Sequence, residues 1–222
     1  MEWLLAQQLA CSRIELYASF DRPMTEQELV PLRALLKRRG QGEPLQHLLG
    51  TVEFAGREFQ CDHRALIPRP ETEEMVESAL KLEMGDQIEV LDVGTGSGVI
   101  GITIGLSLGE RCAGIVLTDI SRDALTLAQE NADRHALTVT CLEGDLFEGV
   151  RGTYNLILAN LPYIPIGEKG TLSPEVGYDP ETALFAGPDG LDLLRRFLPT
   201  ARNHLASSGW LVLEIGANQG PE

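Results

Sequence analysis

Beyond Glu71 the chain alternates short apolar runs with stretches of helical apolar spacing, and this alternation constrains its fold more than any other feature. The pattern predicts helices near 71–83, 98–108, 121–134 and 190–206, and strands over 88–93, 114–118, 138–142, 154–159 and 210–215. Strands separated by helices need right-handed crossovers, which give a mostly parallel sheet covered on both faces. In such a sheet a ligand belongs beyond the carboxyl ends of the strands, near the point where strand order reverses. No internal repeat or low-complexity segment interrupts the pattern.

The region before Glu71 reads differently. Leu4, Leu5 and Leu9, then Leu29, Leu32, Leu35 and Leu36, recur at helical spacing, predicting two amphipathic helices broken near Asp21-Arg22-Pro23. Val52-Glu53-Phe54 and Glu58-Phe59-Gln60-Cys61 flank an Ala55-Gly56 turn and read as a hairpin joining two domains. The expected organisation is a helical domain over 1–49, a β-hairpin linker over 50–70 and an α/β domain over 71–222.

Composition narrows the function classes. With 222 residues, 43% of them hydrophobic, the chain can bury one sizeable core and a small accessory domain. No apolar run approaches the roughly 18 residues that span a bilayer, and Met1-Glu2-Trp3 lacks the basic region of a secretory signal. A cytoplasmic protein is expected, monomeric and without a membrane partner. Cys11, Cys61, Cys112 and Cys141 form no C-x-x-C pair, and His47, His63, His135 and His204 have no metal-ligand spacing, so no metal site is expected. The net charge of −15 disfavours bulk nucleic-acid binding. Arg33 and Lys37-Arg38-Arg39 are the exception, either a solvated helix end or a docking patch.

Ile88 to Val93 is a buried-strand pattern that runs into Gly94-Thr95-Gly96-Ser97-Gly98 and then an apolar helix. Glycines let the backbone turn sharply against a ligand, and a helix amino terminus offers unpaired N–H groups. Alone, such a triplet is a weak signal. Asp119, at the end of the second strand, can accept hydrogen bonds from both hydroxyls of a ribose. Gly144-Asp145 closes the third strand, where the acid or its neighbours can meet an adenine amino group. Dinucleotide enzymes use G-x-G-x-x-G, whereas here the third glycine comes one residue early, and no pyrophosphate partner is evident. Asp92, in the turn, also suits a cationic sulfonium better than a diphosphate. S-adenosylmethionine is therefore favoured over a nicotinamide cofactor. The fourth strand delivers Asn160-Leu161-Pro162-Tyr163. An asparagine oxygen and the next backbone carbonyl can accept the two protons of a planar NH2, on which the aromatic ring can stack. The plainer reading is a strand ended by a proline turn.

The asparagine motif resembles the Asn-Pro-Pro-Tyr signature of methyltransferases that modify amide or exocyclic amine nitrogens. Leu66-Ile67-Pro68-Arg69-Pro70-Glu71-Thr72-Glu73 is similar to the linker signature of the peptide chain release factor glutamine N5-methyltransferases, the HemK/PrmC family. The resemblance continues through Gly50-Thr51-Val52-Glu53-Phe54, Glu181-Thr182-Ala183-Leu184 and Leu213-Glu214-Ile215-Gly216, in family order over nearly the whole chain. It implies a Rossmann-like methyltransferase fold with an N-terminal helical domain that docks a release factor, and transfer of a methyl group to the glutamine of a Gly-Gly-Gln loop. By the same resemblance Gly94, Thr95, Gly96, Ser97 and Gly98 line the methionine part, Asp119 holds the ribose, and Asp145 and Leu146 flank the adenine. Asn160 and the Leu161 carbonyl orient the glutamine amide, with Pro162 next in the catalytic motif and Tyr163 packed beside the amide.

Two departures stand out. Leu161 replaces the usual proline, which keeps the carbonyl but frees a torsion and adds an N–H. Asn-Leu-Pro-Tyr also resembles ribosomal RNA adenine N6-dimethyltransferases, so an adenine methyltransferase remains an alternative, and the short C-terminus keeps a silent S-adenosylmethionine-binding module as another. Family members continue past the fifth strand with a closing pair of strands and have a longer helical domain, so the chain is expected to be truncated, with one exposed sheet edge. Arg69, stiffened by flanking prolines, is expected either to pair with a carboxylate or to touch the substrate.

Overall fold

The computed structural model describes residues 1–220, and Pro221 and Glu222 lie outside the described residues. Four short helices open the chain: α1 (Glu2–Gln8), α2 (Arg13–Ala18), α3 (Glu26–Gly40) and α4 (Leu45–Leu49). Where two helices were predicted over 1–39, the structure has three, because Ala10 turns left-handed and Ser12 starts a new helix. Ser12 with Glu15, and Thr25 with Glu28, are reciprocal capping boxes that satisfy the first amides of α2 and α3. Leu4, Leu32 and Leu48 form a small separate core. Lys37, Arg38 and Arg39 of the basic cluster lie in the last turn of α3, where cations complement the helix dipole, and Arg33 lies one turn earlier. Its arginines are paired: Arg33 with Glu26 at 2.8 Å, Arg38 with Glu43 at 2.5 Å and Arg39 with Glu175 at 2.5 Å.

The hairpin forms as predicted, with β1 (Thr51–Phe54) antiparallel to β2 (Arg57–Gln60). Phe54 and Phe59 project from it into the main core and meet edge-on at 6.3 Å. The alternation that follows is α5 (Pro70–Leu80), β3 (Ile88–Val93), α6 (Val99–Leu108), β4 (Cys112–Asp119), α7 (Arg122–Arg134), β5 (Thr140–Glu143), β6 (Tyr154–Asn160), α8 (Asp192–His204) and β7 (Leu205–Glu214). The sheet is parallel throughout, in the order β5-β4-β3-β6-β7. Strand order reverses at β3, whose neighbours are β4 on one side and β6 on the other. A loop predicted before the last strand is absent, since β7 begins at Leu205 directly after α8. Among the described residues β7 is an edge strand, and no helix among them is long and apolar enough to cross a membrane.

Period-two alternation sorts the strand residues between two cores. Val90, Ile115, Leu117, Leu156 and Leu158 face α5, α6 and α7, whereas Leu91, Val93, Ile157 and Ala159 face Phe197 and Ala201 of α8. The glycines of α6 set how near that helix lies to the sheet. A Cβ on Gly101 would be 2.5 Å from Leu117 Cδ2, and one on Gly105 would be 2.1 Å from Ile115 Cδ1.

Asn131, fully buried on α7, ties three elements together. Its Oδ1 accepts from Gln60 N at 2.7 Å, and its Nδ2 donates to Gln60 O at 3.2 Å and to Ser97 O at 2.9 Å. Truncation would leave these backbone groups without partners in a dry site. Asn131→Ala should therefore lower unfolding free energy by about 2–4 kcal/mol, measured by urea denaturation. A loss below about 0.5 kcal/mol, the scale of surface changes, would show that the clamp carries no weight.

Candidate active site

At the switch point the turn after β3 opens a cavity of about 440 Å³ at the carboxyl ends of the strands. Gly94, Gly96 and Gly98 all take positive φ, from 57° to 82°, the left-handed region that disfavours side chains. Gly94 and Thr95 donate their N–H groups to Thr118 O at 2.8 and 2.9 Å, Gly96 N donates to Asp119 Oδ2 at 2.9 Å, and Gly98 N donates to Thr95 O at 2.9 Å. These four are used within the protein, because the turn must be fastened to β4 before it can hold anything. What remains is a stiff, Cβ-free wall, not the nest of free donors that a diphosphate needs.

Asp92 requires a correction. It is fully buried and does not line the cavity. Oδ2 accepts from Thr95 Oγ1 at 2.7 Å and from Gly101 N at 2.9 Å, so the carboxylate faces the amino terminus of α6. Period two puts it on the α6 side of β3, away from the ligand side of the turn. Burial, the largest influence, pushes its carboxyl up to about 6, against the pull of those two hydrogen bonds.

Asp119 lies where predicted, at the end of β4 on the cavity wall. Its Oδ1 accepts from Ser121 N at 2.8 Å, and burial raises its carboxyl above the ordinary range while the amides of Ser121 and Gly96 oppose the rise. Gly94, Thr95, Gly96, Ser97, Asp145, Leu146, Asn160, Leu161 and Pro162 line the same cavity. Two expected residues do not. Gly98 packs against α7, where a Cβ would stand 3.0 Å from that of Ala128, and Tyr163 lines an adjoining cavity of about 420 Å³ with Gln219. Leu161 is buried, and its side chain leaves no room for a Cβ on Gly94, which would be 2.9 Å away. Its side chain therefore packs directly against the glycine turn from the β6 side.

The Asn160 side chain donates from Nδ2 to Thr72 Oγ1 at 3.2 Å, and Thr72 Oγ1 donates to Glu214 Oε2 at 2.7 Å. Of the two readings of Arg69, the carboxylate partner is present. Arg69 Nη2 lies 2.6 Å from Asp179 Oδ2, whose other oxygen accepts from Ile67 N at 3.0 Å. Three arginines line the cavity, and each is matched by a carboxylate: Arg64 by Asp62 and Glu130, Arg69 by Asp179, Arg196 by Asp145. The sequence reading passed over Thr72, Ile120, Phe185 and Arg196. Ile120 was within reach, as the exposed apolar residue directly after a strand-end acid.

Residues 1–50 match the PrmC N-terminal domain and residues 74–172 the methyltransferase small domain. The release factor glutamine methyltransferase of Geobacter sulfurreducens is 43% identical over 220 residues, covering 98% of this chain and 76% of that protein. The chain belongs to the release factor glutamine methyltransferase family. The family member of Chlorobaculum tepidum is 38% identical, covering 100% of this chain and 79% of its own. Among solved structures, a ribosomal protein L11 methylase from Lactobacillus delbrueckii subsp. bulgaricus shares the fold, with TM-score 0.52 and 24% identity over 69% of this chain and 65% of its own. A methyltransferase from Pyrococcus furiosus does so with TM-score 0.53 and 18% identity over 85% and 80%.

The raised carboxyl of Asp92 fixes a pH dependence. Between about pH 4 and 6 the native protein holds a proton there that the unfolded chain has released, so this group's contribution to stability falls as pH rises through that window. Asn in its place does not titrate. The unfolding free energy of Asp92→Asn relative to the parent should therefore rise by about 2–3 kcal/mol from pH 4 to pH 7. Urea denaturation across that range checks it, and parallel pH profiles would contradict the burial argument.

Proposed function

We propose that the protein transfers the methyl group of S-adenosylmethionine to the side-chain amide nitrogen, N5, of the glutamine in the Gly-Gly-Gln loop of peptide chain release factors, as a cytoplasmic monomer. The observation that carries the proposal is the placement of Asn160-Leu161-Pro162 on the wall of the glycine-loop cavity, in a chain of this family. When bound, the cofactor supplies an electrophilic methyl on a sulfonium.

The residues fit that group. The Cβ-free wall of Gly94 and Gly96, with Thr95 and Ser97, accommodates its methionine part, and the Asp119 carboxylate takes its ribose hydroxyls. Asp145 and Leu146 flank the adenine, with Ile120 adding an exposed apolar face. Pairing every cavity arginine with a carboxylate removes the attraction for a phosphate-bearing ligand. The same pairing, with the net charge of −15, supports a protein substrate in place of bulk nucleic acid.

An amide nitrogen is a weak nucleophile because its lone pair is delocalised into the carbonyl, the resonance behind a rotation barrier of about 18–20 kcal/mol. Asn160 Oδ1 and the Leu161 carbonyl accept its two hydrogens, draw density toward nitrogen and hold it in line; as the N–C bond forms the S–CH3 bond breaks to leave a thioether, and the methylated, cationic nitrogen sheds one of those hydrogens to solvent. Alignment of two bound reactants contributes on the order of 7–11 kcal/mol.

Tritiated S-adenosylmethionine should label a release factor, and its Gln→Ala loop variant should take up no label; label in ribosomal RNA instead would overturn the proposal. Within that assay Asn160→Ala should lower kcat on the order of 10²–10³-fold with little change in cofactor affinity. Asp119→Ala should weaken cofactor binding by about 10- to 100-fold. The reverse pattern would exchange the two roles.

A further inference from the structure

An asparagine amide has one end that donates and one that accepts, and the proposed use of Asn160 needs the accepting end toward substrate. The choice of end is decided by two residues remote in sequence. Glu214 is paired with Asn160 across β6 and β7, so the two side chains emerge side by side at the carboxyl edge of the sheet. Thr72, buried in the first turn of α5, bridges them. The Thr72 hydroxyl has one proton, and it goes to Glu214 Oε2 at 2.7 Å, because an ionised carboxylate only accepts. The hydroxyl therefore turns lone pairs toward Asn160, 3.2 Å away, and can only receive an N–H from it. Tyr163 is drawn into the same group: its phenol is pushed up first by burial and then by the facing Glu214 carboxylate.

We propose that Thr72 and Glu214 are positioning residues whose relay locks the Asn160 amide with its NH2 inward, leaving Oδ1 as the acceptor offered to the substrate. The relay rests on the methyl-transfer reading above for its consequence, although the orientation itself is measurable without turnover. Glu214 supplies the polarity, Thr72 transmits it, and neither touches the reacting atoms. Without the hydroxyl both orientations of the amide become accessible, and the inverted one presents an N–H to an incoming N–H.

Thr72→Val keeps the shape and deletes the relay, while Thr72→Ser keeps the hydroxyl. With a release factor as substrate, Thr72→Val should lower kcat on the order of 10- to 100-fold, with the cofactor dissociation constant nearly unchanged, and Thr72→Ser should restore most of kcat. In parallel, 15N–1H spectra report the Asn160 side-chain amide, assigned by its absence in Asn160→Asp. Its signals should shift in Thr72→Val and stay near the parent position in Thr72→Ser. Unchanged amide signals in Thr72→Val would overturn the relay whatever the turnover, as would parent-like kcat in that variant. A parent protein that methylates no release factor, yet shows the shift, would remove the function and leave the relay standing.

Discussion

A carboxylate buried at the end of β3 holds the turn on which everything else depends. Asp92 binds Thr95 within the glycine loop and Gly101 in the first turn of α6, joining strand, loop and helix at a single oxygen. Desolvation penalises that charge heavily, which is why its carboxyl is pushed up to about 6. The penalty is tolerated because three of the loop's five residues are glycines, with no side chains to define its path. Three left-handed glycines at alternate positions are conformationally loose in an unfolded chain. Fixed to β4 by Thr118 O and to α6 through Asp92, they become a rigid surface.

The consequence reaches the ligand. A loop that spends the amides of Gly94, Thr95, Gly96 and Gly98 on its own fold presents the cavity with shape more than with free donors. Pairing of Arg64, Arg69 and Arg196 with acids works in the same direction, cancelling the positive field that phosphates would require. Among the described residues the cavity offers a diphosphate no arginine without a carboxylate partner.

Much of this was legible in the sequence. β3 and β6 announce themselves because both their faces are buried, which leaves apolar runs ending in Gly94 and in Asn160. Asp119 is legible because a strand-end acid can be placed by counting. The inner roles were not. Asp92 reads as a ligand-facing acid until the amide of Gly101 is known to stand over it. Asn131 looks like an ordinary helix residue, and the Thr72, Asn160 and Glu214 chain joins positions 142 residues apart at its extremes. The extra helix break at Ala10 was missed because Ser12 and Glu15 form a cap only once the turn exists. The 3-10 turns over Ile166–Thr171, Pro174–Tyr178 and Glu181–Ala183 carry no apolar period at all.

The segment around the last of those turns forms one wall of the cavity, through Pro180, Thr182, Ala183, Phe185 and Ala186, and the fastening of the stretch that leads to it is unequal. At one end Arg39 meets Glu175 at 2.5 Å and the Tyr178 hydroxyl donates to Gln41 O at 3.3 Å, both contacts with the helical domain. Arg39 and Glu175 are each more than a third exposed, so solvent screens them and their pairing is worth at most about 1 kcal/mol. At the other end Asp179, whose side chain is wholly buried, receives Ile67 N and Arg69 from the linker. Removing Arg69 would leave that buried carboxylate without its ion-pair partner, a larger penalty than losing the surface pair. The wall therefore takes its position from the Pro68-Arg69-Pro70 linker, with the helical domain only leaning on it. The two prolines make that linker a stiff support, since they fix φ on both sides of the arginine that reaches Asp179.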